Sequence, residues 1–182
     1  VRLLINEDVT ARLLGAVEDG SVDLAIVSTT TPPPTVTLQE IGVEPLLAAV
    51  PKKHRLASAA RVKMADLQSE PMLVLKEMHC LAQQTAALCA AHKPTRVTVQ
   101  GEQLSTIAGL VEAGLGVSIV PAMMAASQRR AGVEYKRIAG EANRPVLIAT
   151  SLLRHRSNAA RAFIDLLQSS TAGLFERLKG WK

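Results

Sequence analysis

Short blocks of apolar residues alternate with polar turns along this chain, and their period switches between two and about 3.6. Residues 1–6, Val-Arg-Leu-Leu-Ile-Asn, read as a strand. Over 9–19, Ala11, Leu13, Leu14 and Val17 share one face of a helix, which Gly20 ends, and 22–27 reads as a second strand. The run of three threonines and three prolines at 29–34 is a loop, because consecutive prolines supply no backbone donors. Strands are expected at 36–41 and 44–50, then a polar, irregular stretch at 52–63. A short buried strand at 72–75 delivers the chain to a helix over 80–92, which stops near Lys93-Pro94. Further strands are expected at 96–100, 117–120, 133–138 and 144–150. Helices are expected at 104–112, at about 122–128, and from about 157 with an interruption to about 178.

Strands that alternate with helices imply an α/β fold with a largely parallel sheet and helices on its faces. The Pro-rich loop and the strand pair over 36–50 break the alternation and mark a crossing between two subdomains. Gly114-Leu115-Gly116 follows a helix and precedes a strand, the reverse of a dinucleotide fingerprint, so Gly114 reads as a helix C-cap. Ser105 and Thr106 could cap the 104–112 helix or bind a small anion there, and capping is the expected job.

Composition narrows the class. At 48% hydrophobic and 20% charged the chain is globular, and with 2% aromatics its core must be built from Leu, Val, Ile and Ala. No apolar run is long enough to span a bilayer, nothing at the start reads as a signal peptide, and a sparse cysteine pair suits a reducing cytoplasm. The chain opens at Val1 within an apolar run, without Met, which is the expectation for a fragment of a longer protein. The net charge of +5 is scattered, with Lys52-Lys53-His54-Arg55 and Arg154-His155-Arg156 in loops, so no nucleic-acid-binding face is expected within this chain.

Candidate chemistry gathers at the 80–92 helix. Cys80 follows His79 at its start, and Cys89 lies nine residues further on. On a helix this spacing puts the two thiols about 13 Å apart along the axis and on opposite faces. A disulfide needs Cα atoms within roughly 7 Å, so a Cys80–Cys89 bond requires the helix to open. A helix N-terminus favours the thiolate, the form that attacks peroxide, and a sulfenic acid then condenses with a second thiol. The competing reading makes both cysteines small buried hydrophobes, Cys89 above all within Ala87-Leu88-Cys89-Ala90-Ala91. His79, Cys80, Cys89 and His92 lack zinc-site spacing, and Cys-x-x-Cys is absent, so neither a metal nor a cofactor is expected.

The segment Leu110-Val111-Glu112-Ala113-Gly114-Leu115-Gly116-Val117-Ser118-Ile119-Val120-Pro121 resembles a signature of the effector-binding domain of LysR-type transcriptional regulators. Arg12-Leu13-Leu14 through Asp19-Gly20, followed by Val22-Asp23-Leu24-Ala25-Ile26-Val27, matches that family's second strand-helix-strand unit. The resemblance covers nearly the whole chain. It implies two subdomains of periplasmic-binding-protein-like (type 2) architecture with mixed sheets flanked by helices. Residues 1–41 and 145–182 would form the first, without its initial strand and helix, and 42–144 the second.

His-Cys with a second Cys nine residues on resembles the peroxide-sensing members of that family. The resemblance implies that Cys80 is the peroxidatic thiol and Cys89 the resolving one, joined in a reversible disulfide. It places Thr10, His79 and Arg144 in a peroxide pocket and puts Gln83 where such proteins commonly carry Asp. A cytoplasmic sensor rather than an enzyme is implied, with hydrogen peroxide as its signal. The domain would form homodimers, and tetramers at full length. It would reach DNA only through a helix-turn-helix domain absent here, with RNA polymerase as a further partner and no membrane contact. The alternative is a LysR-type regulator of a small anionic metabolite, held by Thr10, Ser105, Thr106 and Arg144, with structural cysteines. A free-standing solute-binding protein shares the fold.

Overall fold

The computed structural model describes residues 2–29, 31–76, 80–89 and 96–181, with the backbone alone at 96–98. The chain packs as two compact units, residues 1–43 with 145–177 and residues 44–144 with 178–182. It passes from one to the other at three places, within β2 (Val36–Pro51), within β8 (Asn143–Ser151) and near the end of α6 (Asn158–Lys179).

In the first unit, α1 (Thr10–Asp19) ends at Gly20, whose φ of 77° is left-handed. Leu14 and Val17 on its inner face pack against Ala25 and Val27 of β1 (Ala25–Val27), and against Val36, Leu147 and Ala149. β1 pairs antiparallel with β8, Ile26 opposite Ile148. Residues 2–9 form no regular element, although a strand is expected there, and Leu3, Leu4 and Ile5 are 55%, 76% and 76% exposed. A strand needs a partner, and among the described residues none pairs with this segment. The helix α6 (Asn158–Lys179) runs unbroken through the polar stretch that suggests an interruption. The hydroxyls of Ser170 and Thr171 donate to the carbonyls of Leu166 and Leu167 (both 2.6 Å), so they satisfy themselves on the helix's own backbone.

In the second unit, the distal half of β2 is central. Every residue from Glu44 to Val50 is buried, as befits a strand covered on both faces. The two strands expected at 36–41 and 44–50 form one continuous strand, β2. β6 (Ser118–Pro121) and β7 (Val133–Ile138) flank β2, both antiparallel, and β3 (Arg61–Val62) lies parallel to β7. Beside them β4 (Pro71–Leu75) pairs in parallel with β5 (Arg96–Gly101). The sheets are therefore mixed rather than largely parallel. β2 enters this unit directly from the first instead of through a crossover helix, and so meets neighbours that run against it. The described residues of the unit also form the α-helices α2 (Met64–Gln68), α3 (Cys80–Leu88), α4 (Leu104–Glu112) and α5 (Ala122–Ser127).

The Gly-x-Gly element has two separate causes. Gly114, just past α4, has φ 82°, and it and Leu115 donate to the carbonyls of Val111 and Leu110, closing the helix end. Gly116 lies so close to β4 that an added Cβ would stand 2.3 Å from the Pro71 carbonyl oxygen. Only that approach lets Val117 bond both Pro71 and Leu73 (2.9 and 2.8 Å). Ser105 and Thr106 do not cap α4: Gln103 precedes it without a side-chain cap, and both residues lie inside the first turn.

Candidate functional site

The segment Cys80-Leu81-Ala82-Gln83-Gln84-Thr85-Ala86-Ala87-Leu88 consists mostly of strong helix formers and forms α3 with Cys80 as its first residue. Leu81, Thr85 and Cys89, spaced by four, are buried, whereas Gln83, Ala86 and Ala87 are exposed. Cys80 is half-buried, Cys89 is 4% exposed, and both thiols are free. The Cys89 N–H donates to the Thr85 carbonyl at 3.0 Å, so the helical ladder continues through Cys89. At helical spacing the two cysteines stand on opposite faces of the segment.

Packing supports the far end of this helix from outside. α2 and α3 both pack on β4, which sets the last residue of α2 beside the end of α3. There the side-chain amide of Gln68, itself 5% exposed, donates through Nε2 to the Cys89 carbonyl at 3.5 Å. Lys76, the described cation nearest in sequence before Cys80, is ion-paired with Glu102.

Arg144 lies at the start of β8, and its Nε donates to Glu44 Oε1 at 2.7 Å. Glu44 is fully buried, and its other oxygen accepts the Met123 N–H at 2.8 Å near the start of α5. The buried carboxylate is thereby paired and hydrogen-bonded, the condition under which charge is tolerated in a core. Thr10 opens α1 in the first unit and is half-buried, and Gln83 lies on the exposed face of α3. His79 and His92 lie outside the described residues. Cys80, Cys89, Gln83 and Arg144 thus belong to the second unit and Thr10 to the first. A cavity of about 340 Å³ in the first unit, lined by Asp23, Ser151, Arg154, His155 and Arg156 over Val17, contains none of Thr10, Ser105, Thr106 and Arg144. Among the described residues no cluster of His, Cys, Asp and Glu has the makings of a metal site.

Glu44 and Gln68 are the residues that sequence reasoning misses. Glu44 leaves a faint signal, a charge heading the apolar run Pro45-Leu46-Leu47-Ala48-Ala49-Val50. Gln68 leaves none, because its partner is a backbone carbonyl from another element.

Two α/β units between which the chain passes in β2, β8 and α6 are the architecture of periplasmic-binding-protein-type domains. The chain matches the LysR substrate binding domain over residues 1–172 and belongs to that family. The Escherichia coli K12 "DNA-binding transcriptional dual regulator OxyR" is 28% identical over 175 residues, 91% of this chain and 57% of that protein. A "probable hydrogen peroxide-inducible genes activator" from Mycobacterium avium is 33% identical over 121 residues, 65% of this chain and 39% of that protein. The chain therefore spans about half the length, or less, of these curated relatives. Among solved structures, a reduced form of OxyR from N. meningitidis superposes with a TM-score of 0.83 at 26% identity, covering 93% of this chain and 80% of that one. The BenM effector-binding domain with benzoate reaches the same TM-score at 22% identity, covering 93% and 79%, a likeness of fold.

Proposed function

We propose that this chain is the regulatory domain of a LysR-type transcription factor that senses hydrogen peroxide through Cys80 and Cys89. The observation that carries this is the pair of free thiols at opposite ends of one helix, Cys80 accessible at its start and Cys89 buried at its end. The Cys80 thiolate attacks one peroxide oxygen: the O–O bond breaks, an S–O bond forms, sulfur is oxidised and hydroxide leaves. The Cys89 thiol then displaces the sulfenic hydroxyl, giving the disulfide and water. Thr10, His79, Gln83 and Arg144 orient the peroxide and stabilise the departing hydroxide, because so small a molecule is held by placed hydrogen bonds rather than by contact area. One peroxide is consumed for each signal, which makes the domain a sensor rather than a turnover enzyme.

The whole protein, on this reading, acts in the cytoplasm as a dimer through this domain and a tetramer at full length. It binds DNA through a separate helix-turn-helix part, engages RNA polymerase and controls antioxidant genes. Titrating the reduced protein with peroxide and mapping the product by mass tests the reading. One Cys80–Cys89 bond per peroxide reduced is expected, and thiols that survive excess peroxide would overturn it. The second reading, a regulator of a small anionic metabolite held by Thr10, Ser105, Thr106 and Arg144 with structural cysteines, is separated from the first by the same titration.

A further inference from the structure

Cys89 must leave a closely held position before it can meet Cys80. Its side chain is buried, its N–H is bonded within the last turn of α3, and its carbonyl accepts a hydrogen bond from another element. Gln68 reaches that carbonyl from a different element, through a buried contact 21 positions away in the chain. Leu81 and Thr85 are the other buried residues of α3, so the helix owes little to its own amphipathic face. A tie between elements at one end then sets how readily that end opens.

We propose that Gln68 is a latch on the resolving cysteine: a positioning residue that holds the Cys89 carbonyl and thereby limits the rate of the second, disulfide-forming step. This rests on the peroxide-sensing reading above. The first step, oxidation of the Cys80 thiolate to sulfenic acid by peroxide, needs no movement of Cys89 and is independent of the latch. The second step, in which Cys89 sulfur bonds Cys80 sulfur and the sulfenic oxygen leaves as water, requires the end of α3 to detach, and with it the Gln68 contact. The latch would delay commitment to the disulfide.

The test uses Gln68→Met, which keeps the length of the side chain and removes the donor, with Gln68→Leu as a second variant. Sulfenic acid formation is measured by trapping in a Cys89→Ser background, and disulfide formation by rapid acid quench and mass analysis with both cysteines present. The expected result is an unchanged first step and a second step about three- to tenfold faster, as loss of the hydrogen bond to the Cys89 carbonyl implies. In the reduced protein, amide exchange at Thr85–Cys89 should quicken while α4 keeps its protection, an outcome general destabilisation would not give. If the parent forms the disulfide and neither variant changes its rate, the latch is wrong and the sensor reading stands. If the parent forms no Cys80–Cys89 bond with peroxide, the sensor reading falls and the latch falls with it.

Discussion

At the scale of single residues, exposure divides the labour between the two thiols. Cys80 is half-buried and Cys89 is buried, so reagents in solution meet Cys80 first. Cys80→Ser should abolish the reaction with peroxide, whereas Cys89→Ser should retain a trappable sulfenic acid and form no internal disulfide. An undiminished peroxide rate in Cys80→Ser would remove the assignment. Thr10→Val should slow oxidation by peroxide far more than alkylation by iodoacetamide, and equal slowing would point to a general change in reactivity. Glu44 governs stability instead. Glu44→Ala leaves Arg144 without its buried partner and the Met123 N–H without its acceptor, and should cost about 3–5 kcal/mol in denaturant unfolding. Cys80 and Cys89 are legible in the sequence because helical spacing turns a separation into a geometry. Arg144 is legible as a functional candidate, but its pairing with Glu44 is not, since the two lie 100 positions apart.

At the scale of elements, the helix starts and stops are readable wherever a local cause exists, as with Gly20 after α1 and Gly114 after α4. The segment 1–6 reads as a strand from its apolar residues alone, but whether it is one depends on a partner, which no local pattern encodes. The direction of the strands flanking β2 is hidden for the same reason. Gly116→Ala tests the close approach of β6 to β4, because the new methyl would meet a backbone oxygen that has no room to yield. A loss of about 1–3 kcal/mol is expected, read from the denaturant midpoint. The end of α4 also makes stability depend on pH. Hydrogen bonds from Arg130 and from the Gly132 N–H hold the Glu112 carboxyl below its usual range. The unfolded chain lacks these contacts and takes up its proton at higher pH. Their contribution is full above the unfolded value and fades as pH falls through the folded one. Glu112→Gln should therefore lower stability at neutral pH and flatten the acid limb of a stability–pH curve. A limb of unchanged slope would show that other carboxylates dominate it.

At the scale of the whole molecule, the chain forms two packed units, so its unfolding need not be a single transition. The tail allows this to be watched without any label. Trp181 is the sole tryptophan of the sequence, and its ring stands edge-on to Tyr135 of β7, at 6.4 Å between centroids, with its indole N–H donating to the Tyr135 carbonyl at 3.3 Å. Trp181 and Tyr135 both lie in the second unit, the one that carries Cys80 and Cys89. Excitation at the red edge of the indole band therefore interrogates that unit selectively, while far-ultraviolet dichroism averages over every helix in the chain. Where the two signals part company during a denaturant titration, the gap measures the difference in stability between the units. Where the emission shifts on adding peroxide, the rearrangement begun at α3 has reached β7, and the protein reports its own oxidation optically.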